Sequence, residues 1–144
     1  MKVSIITVVF NGEKYIDDCI QSVLAQDYSN IEYIIIDGAS NDGTLAIINS
    51  YKHQIHHLIS EKDKGMYDAL NKGITLASGD VIGILNADDM LASSTIISTI
   101  VTKFKVTGAE GVYGNLNYID ADHPQKIIRN WISKQHQIND FNKG

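Results

Sequence analysis

Val3-Ser4-Ile5-Ile6-Thr7-Val8-Val9-Phe10-Asn11-Gly12 begins as an apolar, largely β-branched run and stops at an Asn-Gly turn pair. A run without polar alternation leaves no face for water, so residues 3–10 read as a strand buried on both sides. Behind the turn, Ile16, Ile20, Val23 and Leu24 recur at helical spacing and predict an amphipathic helix. A buried strand feeding a helix is the first half of a parallel crossover.

The same unit recurs down the chain. Residues 32–37 form a second apolar strand, followed by the turn-rich Gly38-Ala39-Ser40-Asn41-Asp42-Gly43 and a helix over 44–51. A weaker strand over 57–61 precedes Asp63-Lys64-Gly65 and a helix over 66–77, on which Met66, Leu70, Ile74 and Ala77 share a face. Residues 81–86 make a fourth apolar strand, Ala87-Asp88-Asp89 its exit, and 94–106 another helix. Four strand–helix units in series predict an α/β fold: a twisted, mainly parallel sheet with helices on both faces. Residues 111–119 read as a fifth strand, and 126–132, after the sole proline Pro124, as an edge strand or hairpin partner. No repeat or linker interrupts the 144 residues, so 1–144 reads as a single domain.

Composition excludes several classes. With 44% hydrophobic and 20% charged residues, neither disorder nor a disulfide scaffold is expected. A net charge of −5, with 12 scattered Lys+Arg and no basic stripe, argues against nucleic acid as partner. No apolar run approaches the roughly 20 residues of a membrane span, and no secretory leader pattern follows Met1-Lys2, so a cytoplasmic location is expected. The lone Cys19 falls on the apolar side of its helix and reads as a buried thiol. The five histidines lack metal-binding helical spacing, so zinc is not expected.

Open parallel sheets bind ligands outside the carboxyl ends of their strands. Those exits carry Asn11, Asp37, Glu61 with Asp63, and Asp88 with Asp89. Asp88-Asp89 taken alone can cap a helix, and Asp37-Gly38 alone is an ordinary strand-to-turn junction. Recurrence of acids at successive exits is what points to a ligand. Carboxylates so gathered need a shared cation, and magnesium or manganese with phosphate oxygens is the natural one, which predicts a nucleoside diphosphate. Neither a G-x-x-x-x-G-K-[ST] nor a G-x-G-x-x-G loop follows the first strand. The local basic feature is Lys72, one helical turn from Asp68 and able to pair with it.

Residues 3–11, Ile36-Asp37-Gly38-Ala39-Ser40-Asn41-Asp42-Gly43-Thr44, residues 60–74 and Leu85-Asn86-Ala87-Asp88-Asp89 resemble, in order and spacing, glycosyltransferase family 2. The resemblance spans residues 2–132 and implies the GT-A fold, a Rossmann-like nucleotide-binding half joined to an acceptor-binding half that this sequence does not complete. It implies that Val8, Phe10 and Asn11 line the base and ribose pocket and that Asp37 hydrogen-bonds the base. Asp88 would contact ribose or metal, and Asp89 the metal bridging the diphosphate. Glu61, Asp63, Asp68 and Lys72 join as donor-binding candidates. Asn86 stands where many members carry an acid, leaving Asp88 and Asp89 as the metal pair.

The implied reaction is inverting transfer of a sugar from a nucleoside-diphosphate sugar to an acceptor hydroxyl, with a carboxylate base. The acceptor would be a glycan or a lipid-linked molecule in glycan or polysaccharide synthesis, and the intact enzyme could sit at the inner face of the membrane. That base comes from a later segment in the family. Asp120, Asp122 and Asp140 are the downstream acids, Asp120 and Asp122 read as turn residues, and no catalytic base is assigned. Alternatives are a nucleotidyltransferase, weakened by the lack of a glycine-rich basic loop, and a noncatalytic nucleotide-sugar-binding module. An uncovered acceptor side predicts exposed apolar surface over 111–132 and with it a homo-oligomer.

Overall fold

The computed structural model describes residues 1–120, 123 and 126–133. The chain divides into two compact units, Met1–Thr102 and Lys103–Gly144. In the first, β1 (Val3–Val9), α1 (Ile16–Leu24), β2 (Ile31–Asp37), α2 (Thr44–Ser50), β3 (His57–Ser60), α3 (Met66–Leu76) and β4 (Val81–Ile84) alternate as the periodicity predicts. The helix α4 (Ile96–Thr107) follows. No helix among the described residues is long and apolar enough to cross a membrane.

The four strands pair in parallel in the order β3-β2-β1-β4. The first two crossovers step one way along the sheet, and the third returns past β2 to the far side of β1. Right-handed crossovers running in opposite directions place their helices on opposite faces. One face accordingly packs Ile5, Tyr33 and Ile35 against Ile16, Ile20, Ile48, Ile97 and Val101. The other packs Ile6, Ile34 and Ile36 against Ala69 of α3. The alternation Ile5/Ile6 and Ile35/Ile36 is the two-residue period of a strand dividing itself between two layers.

Three strands stop short of their predicted ends, β3 by one residue at Ser60. β1 closes at Val9 because Asn11 takes φ 53 and turns the chain, and β4 closes at Ile84 because residues 86–89 form a turn, with Asp89 N–H donating to Asn86 O at 3.0 Å. In the second unit, the strands expected over 111–119 and 126–132 are shorter, β5 (Leu116–Ile119) and β6 (Ile127–Trp131). They pair with each other as an antiparallel two-stranded sheet apart from the parallel one. Leu116, Tyr118, Ile127, Ile128 and Trp131 on this hairpin are exposed. Pro124 lies outside the described residues.

At the edge of the parallel sheet where β2 begins, Glu32 is buried. It accepts hydrogen bonds from Lys2 Nζ (2.6 Å), Ser4 Oγ (2.5 Å), Ser78 N–H (2.8 Å) and Ser78 Oγ (2.6 Å). This ties the α3–β4 turn to β1 and sets the start of β4. Burial works against ionisation, but the hydrogen bonds from Lys2, Ser4 and Ser78 prevail and hold the carboxyl well below its usual range. The folded state therefore binds this proton less readily than the unfolded chain, so the stability it contributes is full above about pH 5 and is lost as the pH falls. Urea midpoints measured down an acid series are expected to drop along this limb, and Glu32→Gln is expected to lower the neutral plateau and flatten the limb. An unchanged acid limb in the variant would exclude Glu32 as its source.

Candidate functional site

Close approaches at glycines show how the loops behind the strands meet. A side-chain carbon on Gly12, behind β1, would lie 3.8 Å from Ala87 Cβ, behind β4. One on Gly38, behind β2, would lie 3.5 Å from the Phe10 ring and 3.3 Å from Asp63 Oδ2, behind β3. The exits of β4, β1, β2 and β3 thus form one continuous rim. Strand order reverses between β1 and β4, so this rim contains the topological switch point at which parallel sheets take ligands.

Asp37, the last residue of β2, is completely buried. Its carboxylate accepts hydrogen bonds from Ser40 N–H (3.2 Å), Ser40 Oγ (2.5 Å) and Ser60 Oγ (2.6 Å). Ser40 lies in the turn-rich segment directly behind Asp37, close enough in sequence for a local side-chain-to-backbone bond. Ser60 is not close in sequence: it faces Asp37 through the β2–β3 register. Ala39, inside this turn, holds φ 61. A left-handed alanine costs on the order of 1 kcal/mol that glycine escapes. Glycine also adds freedom to the unfolded chain worth about 0.4–1 kcal/mol, so Ala39→Gly is expected to stabilise the chain by about 0.5 kcal/mol, read as a rise of about 1–3 °C in Tm. A lowered Tm would refute the strain.

The β1 and β2 loops are laced together. Asn11 N–H donates to Ser40 Oγ at 2.8 Å and Asn11 Oδ1 accepts from Asn41 N–H at 3.0 Å. Gly12 N–H donates to Thr44 Oγ1 (2.8 Å), and Gly43 N–H to Glu13 Oε2 (2.9 Å). Thr44 in turn donates to Asp42, and this hydroxyl bond pulls the Asp42 carboxyl down. Val8 is half-buried against the layer of Ile6, Ile34 and Ile36. Phe10 leaves 64% of its surface exposed beside Gly38.

Glu61, Asp63 and Asp68 converge on Lys72 of α3. Its Nζ hydrogen-bonds Asp63 Oδ1, stands 2.7 Å from Glu61 Oε1 and lies 3.8 Å from Asp68 Oδ2. The one-turn pair anticipated from spacing is present as the longest of the three. The bonds to Asp63 and then Glu61 hold the ammonium well above its usual range.

Behind β4, Leu85, Ala87 and Leu91 pack against the core, which turns Asn86 and Asp88 to solvent. Cys19 Sγ donates to Asn86 O at 3.4 Å, Leu91 N–H donates to Ser22 Oγ at 3.0 Å, and Asn86 Nδ2 donates to Asp89 Oδ2 at 3.1 Å. The acidic pair is thus carried on a turn anchored from α1. Burial pushes the Cys19 thiol up to about 11, so it stays protonated at neutral pH. Among the described residues, no three His, Cys, Asp or Glu side chains are gathered in a way that could hold a metal ion.

Known proteins share this architecture. Glycosyltransferase GlyG of Streptococcus pneumoniae serotype 4 is 32% identical over 124 residues, covering 83% of this chain and 41% of GlyG. The chain spans about two fifths of the length of GlyG and of several other curated relatives, and about one seventh of Escherichia coli chondroitin synthase. S. aureus TarS 1–349 in complex with UDP-GlcNAc superposes with a TM-score of 0.68 at 23% identity, over 75% of this chain and 32% of that one. The mannosyltransferase PcManGT of Pyrobaculum calidifontis, in complex with GDP-Man and Mn2+, does so with a TM-score of 0.67 at 22% identity, over 82% and 35%. The fold is the GT-A fold that the motifs imply. With the glycosyl transferase family 2 model matching residues 4–143, the chain belongs to that family.

Proposed function

We propose that residues 1–144 form the nucleotide-sugar-binding part of a metal-dependent glycosyltransferase, which passes a sugar with inversion to a hydroxyl of a glycan or lipid-linked acceptor. The observation that carries this reading is the single rim on which Asp37, Asp63 and the pair Asp88-Asp89 leave β2, β3 and β4 around β1. UDP-GlcNAc in one solved neighbour, and GDP-Man with Mn2+ in the other, support a nucleotide sugar and a divalent ion as ligands.

On the nucleoside side, the exposed Phe10 ring offers a face to the base, and the β1 loop with Val8 and Asn11 forms the floor. Asp37 reaches a base N–H by exchanging one of its serine hydrogen bonds for it. On the diphosphate side, Asp88 and Asp89 would hold the ion, with Asn86 Nδ2 donating to Asp89 Oδ2 and so orienting it. Two carboxylates suit magnesium or manganese, since such ions are commonly held by one or two protein carboxylates together with substrate phosphates. Such an ion supplies Lewis-acid stabilisation of the departing diphosphate. Asp120 is occupied in closing the β5–β6 hairpin, where Oδ1 accepts from His123 N–H at 3.1 Å. Asp122 and Asp140 lie outside the described residues, and the acceptor base is left unassigned.

Calorimetric titration of UDP and of GDP, each with and without manganese, tests the reading. Saturable binding of at least one nucleotide that requires the ion is the expected result. No binding of either nucleotide in saturating manganese overturns it.

A further inference from the structure

As the local basic feature near the strand exits, Lys72 would be the obvious group to hold a phosphate, and its surroundings say otherwise. Its ammonium is engaged by Glu61 at 2.7 Å and by Asp63, with Asp68 at 3.8 Å. A cation already shared by three carboxylates has little charge left for an anionic diphosphate. The group it controls is Asp63, whose side chain is only 8% exposed. Asp63 Oδ1 is pinned by Lys72, while Oδ2 has no hydrogen-bond partner among the described residues. That second oxygen points to Gly38, 3.3 Å from where a Cβ would stand, in the same place that the Phe10 ring approaches to 3.5 Å. A deeply set carboxylate with one lone acceptor oxygen beside an exposed aromatic ring is built to receive a hydrogen-bond donor from a flat, polar ligand.

We infer that Lys72 is a positioning residue that orients Asp63, and that Asp63 Oδ2 accepts a hydrogen bond from the nucleoside of the donor. The inference rests on the nucleotide-sugar reading above and assigns Lys72 within it to the nucleoside end. The absence of a side chain at Gly38 keeps the approach to Oδ2 open.

The test is a double-mutant cycle read by calorimetry with UDP and GDP in manganese, on wild type, Asp63→Asn, Lys72→Met and the double variant. Each single change is expected to weaken nucleotide binding about 10- to 100-fold, the size of one charge-assisted hydrogen bond to a buried group. The double variant is expected to lose no more than either single one, because both remove the same contact. Lys72→Arg is expected to recover most of the affinity. Pyrophosphate with manganese is expected to bind wild type and Lys72→Met equally. Thermal melting of each variant separates these effects from unfolding. Equal loss of pyrophosphate and UDP in Lys72→Met would make Lys72 a phosphate grip and overturn the inference, as would additive losses in the cycle. Wild-type affinity in Lys72→Met overturns it while leaving the donor site standing. A wild type that binds neither nucleotide overturns both.

Discussion

Asp89→Ala is expected to lower manganese-dependent UDP or GDP binding by about 100-fold or more. Losing an outer partner of a metal ligand typically costs about 10- to 100-fold, and losing one of two protein ligands exceeds that. Asp89 is half-buried, and among the described residues its carboxylate makes a single side-chain hydrogen bond, with Asn86. Its removal is therefore expected to change stability by less than about 1 kcal/mol, so a folded variant with lost binding is the result to look for. Binding measured without manganese should be nearly the same in variant and wild type. Asp89→Ala titrating like wild type in manganese would remove Asp89 from the ion's ligands. Asp88→Ala is the companion experiment, because its carboxylate stands exposed on the same turn.

Gly73→Ala reverses the ordinary helix rule. Within a helix, alanine is favoured over glycine by about 1 kcal/mol. Gly73 is buried on α3, and a methyl there would meet Ile6 Cγ2 at 2.5 Å. Ile6 is fully buried in β1, with strands on either side, so it has nowhere to go. Overpacking of this kind costs about 1–3 kcal/mol or more. A 2.5 Å approach puts the cost at the upper end, about 3 kcal/mol, and less about 1 kcal/mol of helix preference the net expectation is a loss of roughly 2 kcal/mol, and with it a Tm lowered by about 5–10 °C. The urea midpoint should fall with an unchanged slope. A more stable variant would mean that α3 tolerates a wider separation from the sheet. Because Lys72 precedes Gly73, a displaced α3 is also expected to weaken nucleotide binding through Asp63.

Much of the unit Met1–Thr102 was legible from local pattern. The β-branched runs that became β1, β2 and β4 and the helical spacing of Ile16, Ile20 and Val23 carry their structure in their own periodicity. Placement of Asp37, Asp63, Asp88 and Asp89 behind strands followed, since a strand's exit is read from where its apolar run ends. The pairings at those exits were not legible. Spacing offered Lys72 only Asp68, whereas in the structure Asp63 and Glu61 are the nearer partners. Ser60 came to Asp37 through parallel register, and Ser4 and Ser78 came to Glu32 across 28 and 46 residues. The left-handed Ala39 was hidden because alanine carries none of the usual glycine or asparagine signal for that conformation.

The amino-acid sequence by itself determined the alternation of strands and helices, the acids at the strand ends and, through the motifs they form, the family. Each of these is a property of short segments: an unbroken apolar run marks a strand buried on both faces, recurrence every three to four residues marks a helix, and the residues directly behind a run mark its exit. Tertiary structure alone decided that β1 stands between β2 and β4, and that β5 and β6 pair apart from the parallel sheet. It also decided that Lys72 serves the exit of β3. Those outcomes depend on the direction of each crossover and on which distant polar groups packing forces together, and a buried charge takes whichever partner lies within reach.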